Sequence, residues 1–182
     1  MSDQSEINPK RVQNKHALEN IPKTLIIGYG NPDREDDGVA WHVLQGVADY
    51  FGIRIPSSLT EDLVDTQENL QFLFNLQLMP EMTYEMSNFS RICFVDAHTG
   101  ALENDLNYQP LERKFHNAPL THHMTPQTIL SILDSAFNHQ PEAILVSVRG
   151  YQFGFSNKLS APTQRLADQA VVKISNWILN KQ

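Results

Sequence analysis

One run near the start of the chain, from Thr24 to Val39, constrains the fold more than any other. Its sequence, TLIIGYGNPDREDDGV, passes from a short apolar stretch into a Gly-Asn loop that ends in a cluster of acids. Apolar residues then recur at helical spacing, at Val39, Ala40, Val43, Leu44 and Val47. The order predicts a buried strand over 24–27, a loop, and a helix from Asp37 onward. Such a β-loop-α unit is typical of open α/β sheets, which bind ligands beyond the carboxyl ends of their strands.

The rest of the chain repeats this alternation of strands and helices. Strands are predicted over 70–78, over 92–95 with Asp96 at the strand end, over 106–111 and over 143–148. The third of these is polar and contains Pro110, which cannot donate to a ladder and so favours an edge position. The sequence therefore predicts a three-layer α/β/α sandwich with a mostly parallel, twisted sheet of about five strands.

Helix boundaries are marked by capping residues and prolines. Pro80 is predicted to open a helix whose inner stripe is Met82, Met86 and Phe89. Thr125 followed by Pro126 predicts a helix to about residue 138. Ser160 is predicted to cap a terminal helix that ends near residue 181.

Length and composition fit one domain. The 182 residues are 41% apolar and 19% charged, which is ordinary for a globular protein. Residues 1–21 are polar and lack periodicity, so they are predicted to be a flexible leader before a single domain over 22–182. The stretch 53–69 contains Pro56 and several acids and is predicted to be an irregular connection.

Charge and hydropathy argue against two classes of partner. The net charge of −7, with Lys and Arg scattered, disfavours binding to nucleic acid or to an anionic membrane surface. No apolar run approaches the ~20 residues needed to span a bilayer, and no signal-peptide stretch is present, so we expect a cytoplasmic protein. The single cysteine, Cys93, lies in a predicted strand interior and is expected to be buried and inert.

The glycine loop resembles a dinucleotide-binding fingerprint but departs from it. Gly28 and Gly30 match the first two glycines of G-x-G-x-x-G, whereas Asp33 stands in place of the third. Acids at 33, 35, 36 and 37 would also repel a pyrophosphate. A bound organic cofactor is therefore not expected.

Carboxylates and imidazoles at three strand-to-helix junctions suggest a cation site instead. Asp37 begins the first helix and Asp96 ends a neighbouring strand, although each could equally be a cap or a loop acid. His122 and His123 immediately precede the helix at Pro126, and neutral imidazole would complete a mixed nitrogen and oxygen site. His98 is an additional candidate, whereas His42 is expected on the first helix as a structural or exposed residue.

Three segments together resemble the [NiFe]-hydrogenase maturation endopeptidases. They are the glycine loop over 28–38, the strand over 94–97 and the segment over 122–126, and the resemblance covers roughly residues 23 to 180. It implies an enzyme that removes a C-terminal extension from the precursor of a hydrogenase large subunit after nickel insertion. The nickel would arrive with that precursor, so no cofactor of the protein's own is implied.

The resemblance also assigns the metal-contacting positions. It maps them onto Asp37, Asp96 and His122, with Asp36 as the neighbouring acid, and implies that these three residues sense nickel and also act in catalysis. Some family members have Glu where this chain has Asp37. The Asp side chain is one methylene shorter, so its carboxylate reaches less far toward a metal. The doublet with His123 leaves the imidazole assignment open, although alignment on residues 124–126 favours His122.

Two kinds of alternative stand beside this assignment: other catalytic mechanisms and a different class of protein. No G-x-S-x-G serine motif or H-E-x-x-H zinc motif is present, and Cys93 is expected to be buried. The alternative function is a non-catalytic, metal-dependent binding module or maturation chaperone that uses the same three residues. Arg149, Gly150 and Gly154 follow the last strand and would either line a peptide cleft or form an ordinary turn.

Overall fold

Five strands form one sheet in the computed structural model, which describes residues 17–55, 69–111 and 124–180. Their spatial order is β2-β1-β3-β5-β4, and all neighbours are parallel except β4 and β5. The strands are β1 (Thr24–Tyr29), β2 (Leu70–Asn75), β3 (Arg91–His98), β4 (Leu106–Pro110) and β5 (Glu142–Arg149). The predicted mostly parallel sheet is confirmed, with the polar, proline-containing strand at its edge.

The described residues contain four α-helices and three short 3-10 turns besides the strands. The α-helices are α1 (Val39–Tyr50), α2 (Thr83–Met86), α3 (Pro126–Phe137) and α4 (Ala161–Ile178), and the 3-10 turns are Ala17–Asn20, Glu35–Gly38 and Pro80–Met82. The predicted caps of the last two helices are confirmed. Thr125 Oγ1 accepts from Thr128 N at 3.2 Å, and Ser160 Oγ accepts from Thr163 N at 3.5 Å.

Each face of the sheet is covered by its own pair of helices. Alternate residues of β1 and β3, such as Ile26 and Cys93, pack with α1 and α4. The opposite alternation, which includes Leu25, Ile27, Ile92 and Phe94, packs with α2, α3 and the predicted methionine stripe. Because both faces are buried, these strands read in sequence as continuous apolar runs. Cys93 is fully buried, as predicted, and this burial raises the pKa of its thiol, which makes it unsuited to nucleophilic chemistry.

A buried arginine ties the C-terminal helix to the amino ends of two strands. Arg91 makes a bidentate ion pair with Glu142, with nitrogen to oxygen distances of 3.0 and 3.2 Å. Its guanidinium also donates to the carbonyl oxygens of Trp177 and Ile178 and lies 3.9 Å from the centroid of the Trp177 ring. The last carbonyl groups of α4 are thereby paired with a cation, which is the charge that a helix C-terminus favours.

The structure corrects several predicted boundaries. The first strand continues beyond Ile27 to Tyr29, and β3 does not end on Asp96 but runs to His98, because β5 stays paired with it as far as Arg149. The first α-helix begins at Val39, after a 3-10 turn that contains Asp37.

Several further sequence predictions fall wholly or partly outside the described residues. These include most of the leader, of the connection over 53–69 and of the segment over 112–123. Within the predicted leader, Ala17–Asn20 form a turn and Leu18 is fully buried. No described helix is both long and apolar enough to cross a bilayer.

Candidate active site at the carboxyl edge of the sheet

An open cavity of about 780 Å³ lies beyond the carboxyl ends of β1, β2 and β3. Asp37 and Asp96, the two carboxylates predicted to act together, both line it. Other parts of the wall come from the start of the glycine loop, from the segment after β2 and from the first turn of α3. They comprise Tyr29, Gly30, Asn31, 76–80, 124–127 and Leu145.

Asp37 reaches the cavity because the glycine loop folds tightly around it. Gly30 has φ = 136°, and a Cβ on it would lie 2.3 Å from the carbonyl oxygen of Asp37. A Cβ on Gly38 would lie 2.5 Å from Cα of Pro32. The backbone N–H of Asn31 donates to Asp37 Oδ2 at 3.1 Å. The α1 N-cap is Gly38, so Asp37 is a loop-held acid and not the cap of this helix.

Asp36 points the other way and is fully buried. Its carboxylate accepts hydrogen bonds from the backbone N–H groups of Tyr151, Gln152 and Ser160 and from Ser160 Oγ, at distances of 2.7 to 2.9 Å. Burial acts to raise the pKa of Asp36, but these four hydrogen bonds outweigh it and hold the pKa below its ordinary value. Asp36 is therefore an anchor that joins the acidic turn to the α4 N-terminus.

Asp96 lies beside Tyr29 at the edge where β1 stops. The register pairs Gly28 with Val95, so the next residues of the two strands, Tyr29 and Asp96, are neighbours on the same face. Burial raises the pKa of Asp96 to about 6. Hydrogen bonds from the Tyr29 hydroxyl and the Ala97 N–H act to lower it, and the charge of Asp37 acts to raise it. The pKa of the Tyr29 hydroxyl is raised by burial and by the Asp96 charge, so it stays a neutral donor.

The four histidines considered in the sequence analysis fall into two groups. His122 and His123 lie outside the described residues, so their predicted place at the site stays a prediction. The residues that follow them, from Met124 to Gln127, do line the cavity.

The other two histidine side chains are held elsewhere. His98 Nδ1 accepts from Gly100 N at 3.2 Å and His98 Nε2 lies 3.2 Å from the carbonyl oxygen of Asp105, so both ring nitrogens are engaged outside the cavity lining. His42 lies on α1 as predicted. Burial there lowers its pKa, and a hydrogen bond with the Asn157 backbone acts against that shift.

The glycine-aromatic loop after β5 does not line this cavity. A Cβ on Gly150 would lie 2.7 Å from the Phe153 ring, and Gly154 N donates to Glu35 Oε2 at 2.7 Å. Arg149 pairs with Asp105 at 2.8 Å. The loop thus packs against the acidic turn, and of the two alternatives left open by the sequence, the lining of this cavity favours an ordinary turn.

The described residues do not by themselves form a metal site. Among them, no three or more His, Cys, Asp and Glu side chains converge where a metal ion could be held. Asp37 and Asp96 provide two oxygen donors on one cavity, which suits a divalent cation that takes its remaining ligands from elsewhere. Sequence reasoning missed Tyr29, because only the strand pairing shows that it lies beside Asp96.

The fold of this chain is the fold of solved [NiFe]-hydrogenase maturation proteases. The maturation protease HycI from Thermococcus kodakarensis KOD1 aligns over 93% of this chain and 99% of its own, with 17% identity and a TM-score of 0.60. The hydrogenase maturating endopeptidase HybD from E. coli aligns over 84% of this chain and 89% of its own, with 17% identity and a TM-score of 0.61. No family profile and no curated protein sequence matches the chain. At these identities the likeness establishes the fold.

Proposed function

We propose that this protein is an endopeptidase that removes the C-terminal extension of a nickel-loaded [NiFe]-hydrogenase large-subunit precursor. The observation that carries the proposal is the convergence of Asp37 and Asp96 on one open cavity at the carboxyl edge of the sheet. The fold shared with proteins described as hydrogenase maturation proteases supports it.

In this proposal the precursor brings the nickel and the protein supplies ligands for it. Asp37 and Asp96 bind the ion, and His122, which precedes the cavity wall at Met124, is the third ligand. A cation held in this way polarises the scissile carbonyl and lowers the pKa of a bound water. A precursor without nickel would leave two neighbouring carboxylates uncompensated, so binding is favoured only for the loaded form.

The rest of the cavity wall suits an extended peptide. Leu78 and Met79, which follow β2, and Leu145 on β5 give the wall an apolar side. Leu76 stands at the rim with 58% of its surface exposed. An extended tail would pack its side chains on this side while its backbone approaches Asp37 and Asp96.

The decisive experiment is mass spectrometry of a hydrogenase large-subunit precursor after incubation with the protein. Four proteins are compared: unaltered, Asp37→Asn, Asp96→Asn and the control Asp33→Asn. The control removes a charge from the same acidic cluster, but Asp33 is exposed and does not line the cavity. We expect the unaltered and control proteins to remove a C-terminal peptide from the nickel-loaded precursor and not from the nickel-free one. The Asp37→Asn and Asp96→Asn variants should cleave neither form.

A parallel pull-down of the precursor separates cutting from binding. Retained cleavage in both site variants would refute the assignment of these carboxylates. Nickel-dependent binding by the unaltered protein with no cleavage would favour the alternative of a non-catalytic binding module or chaperone.

A further inference from the structure

Tyr29 is a polar side chain of the cavity that is not one of the proposed metal-binding positions. It ends β1, one residue beyond the last registered pair with β3. Leu25 and Ile27 before it face α2 and α3, and Tyr29 continues this row. On β3, Ile92 and Phe94 form the matching row, which Asp96 continues.

This register fixes which group the phenol meets. Residues in register on adjacent parallel strands project from the same face, so the Tyr29 and Asp96 side chains leave the sheet together. The Tyr29 hydroxyl and the Asp96 carboxylate both line the cavity within reach of one another, where the hydroxyl acts as a donor that lowers the pKa of Asp96, and Tyr29 is itself packed against the buried cluster below. Because this packing restricts the orientation of the Tyr29 ring, it also fixes the direction in which the hydroxyl points.

The consequence concerns the two oxygens of Asp96. A carboxylate without an outer partner can rotate, and it can bind a cation through one oxygen or both. A donor fixed on one oxygen removes that freedom and leaves the other oxygen available, which is how outer hydrogen bonds orient metal ligands in proteins. Asn31 N plays the corresponding part at Asp37, where it holds Oδ2.

We propose that Tyr29 is a positioning residue, whose hydroxyl holds one Asp96 oxygen so that the other faces a divalent cation in the cavity. The identity of that cation as the precursor's nickel rests on the proposed function. The positioning itself does not, because it concerns only the orientation of a carboxylate within this chain.

The test uses Ni²⁺ alone as the probe and the full chain as the protein. Tyr29→Phe removes only the hydroxyl, and Tyr84→Phe makes the same change at a side chain that is 74% exposed and outside the cavity. By calorimetric titration we expect Tyr29→Phe to weaken Ni²⁺ binding by about tenfold, the lower end of what loss of such an outer partner costs. Tyr84→Phe should match the unaltered protein.

A spectroscopic readout separates positioning from a general effect on folding. Neutralising Asp96 with a cation changes the field at the hydrogen-bonded phenol, so Ni²⁺ should produce a near-ultraviolet tyrosine difference spectrum in the unaltered protein. The signal should persist in Tyr84→Phe and vanish in Tyr29→Phe. Because the unaltered protein carries this readout, it remains informative even where Tyr29→Phe is poorly folded.

Two results would overturn the proposal. One is Ni²⁺ affinity in Tyr29→Phe that matches the unaltered protein, with the tyrosine signal unchanged. The other is absence of Ni²⁺ binding by the unaltered protein, since the positioned Asp96 oxygen would then bind no cation. Failure to cleave a precursor, with both expected results obtained, would instead count against the proposed function alone.

Discussion

Asp36 and Asp37 are adjacent in sequence and differ completely in surroundings. Asp36 is enclosed by four donors from the start and end of the segment between β5 and α4, whereas Asp37 accepts from Asn31 N within its own loop and lines the cavity. Consecutive residues in a 3-10 turn point in different directions, so one acid can anchor the turn while the next serves the site. Asp36 therefore stabilises the turn, whereas Asp37 is available to the cavity.

Substitution of Asp36 by Asn is expected to destabilise the protein by about 3 kcal/mol at pH 7, because an amide cannot accept from all four donors and some are left buried without a partner. Urea denaturation measures the loss, with Asp33→Asn as the control. The pKa of Asp36 is lowered on folding, so its stabilisation is complete above the unfolded value near 3.9 and is lost as the pH falls through the folded value. The difference between variant and unaltered protein should therefore shrink in acid; a pH-independent difference would contradict this account.

Substitution of Asp96 by Asn should stabilise the protein near neutral pH, which is the opposite of the effect expected at Asp36. Burial raises the pKa of Asp96 to about 6, so the folded protein holds this proton more tightly than the unfolded chain and loses stability as the pH rises from about 4 to about 6. In chelator-treated protein at pH 7.5, we expect Asp96→Asn to be more stable by about 2 kcal/mol, with the gain absent near pH 4. Urea denaturation across this pH range is the measurement. Equal stability at pH 7.5 would show that the Asp96 carboxylate is better solvated than the structure indicates.

At the scale of elements, the loop between β1 and α1 determines where the site lies. The loop turns back on itself at Gly30 and is closed by the contact between Gly38 and Pro32, which brings Asp37 over the end of β1. The segment between β5 and α4 then supports the turn from outside, through Asp36 and through the hydrogen bond between Glu35 N and the Ser156 carbonyl. Two connections far apart in sequence are thus held together by hydrogen bonds.

Gly30→Ala tests this construction. The φ of 136° and the 2.3 Å approach to the Asp37 carbonyl oxygen exclude a side chain without movement of the turn. We expect a loss of about 2 kcal/mol or more in the free energy of unfolding, and loss of Ni²⁺ binding in the fraction that folds. Gly154→Ala is the matched control, since a Cβ there meets only the Glu35 carboxylate, which can move. Equal effects of the two substitutions would contradict the role given to Gly30.

For the whole molecule, the sequence predicted the layered architecture because its central strands are buried on both faces. The runs over 24–27, 92–95 and 143–148 are almost entirely apolar, and capping residues at Thr125 and Ser160 mark helices that cover them. Strand ends were less predictable. Polar residues such as Asp96 and His98 continue β3 because β5 supplies backbone partners, and sequence alone does not show that pairing.

Long-range contacts account for the features of the site that sequence reasoning missed. The donors to Asp36 lie 115 to 124 residues away, and no local pattern at the acidic cluster indicates them. Tyr29 was placed in a loop because the strand was expected to end at Ile27. The convergence of Asp37 with Asp96 was predicted, because carboxyl ends of parallel strands meet at one edge whatever the details of the loops.

The boundary of the folded unit is also a property of the whole molecule. The polar composition of residues 1–21 predicted a flexible leader, yet Leu18 is fully buried against the core that includes α1 and α4, and Asn69 Nδ2 donates to the carbonyl oxygens of Leu18 and Glu19 at 3.2 Å. A lone leucine among polar residues has no periodicity, so the pattern could not reveal this contact. These contacts indicate that residues 17–20 belong to the folded unit.

Leu18→Ala measures how much this segment contributes. Removing a fully buried leucine side chain leaves a cavity, and we expect the free energy of unfolding to fall by about 3 kcal/mol. Leu102→Ala makes the same change at a leucine that is 43% exposed and should alter stability by less than about 1 kcal/mol. Urea denaturation of the two variants beside the unaltered protein provides the comparison. If Leu18→Ala were as stable as Leu102→Ala, the folded unit would begin after Asn20, as the sequence pattern alone predicts.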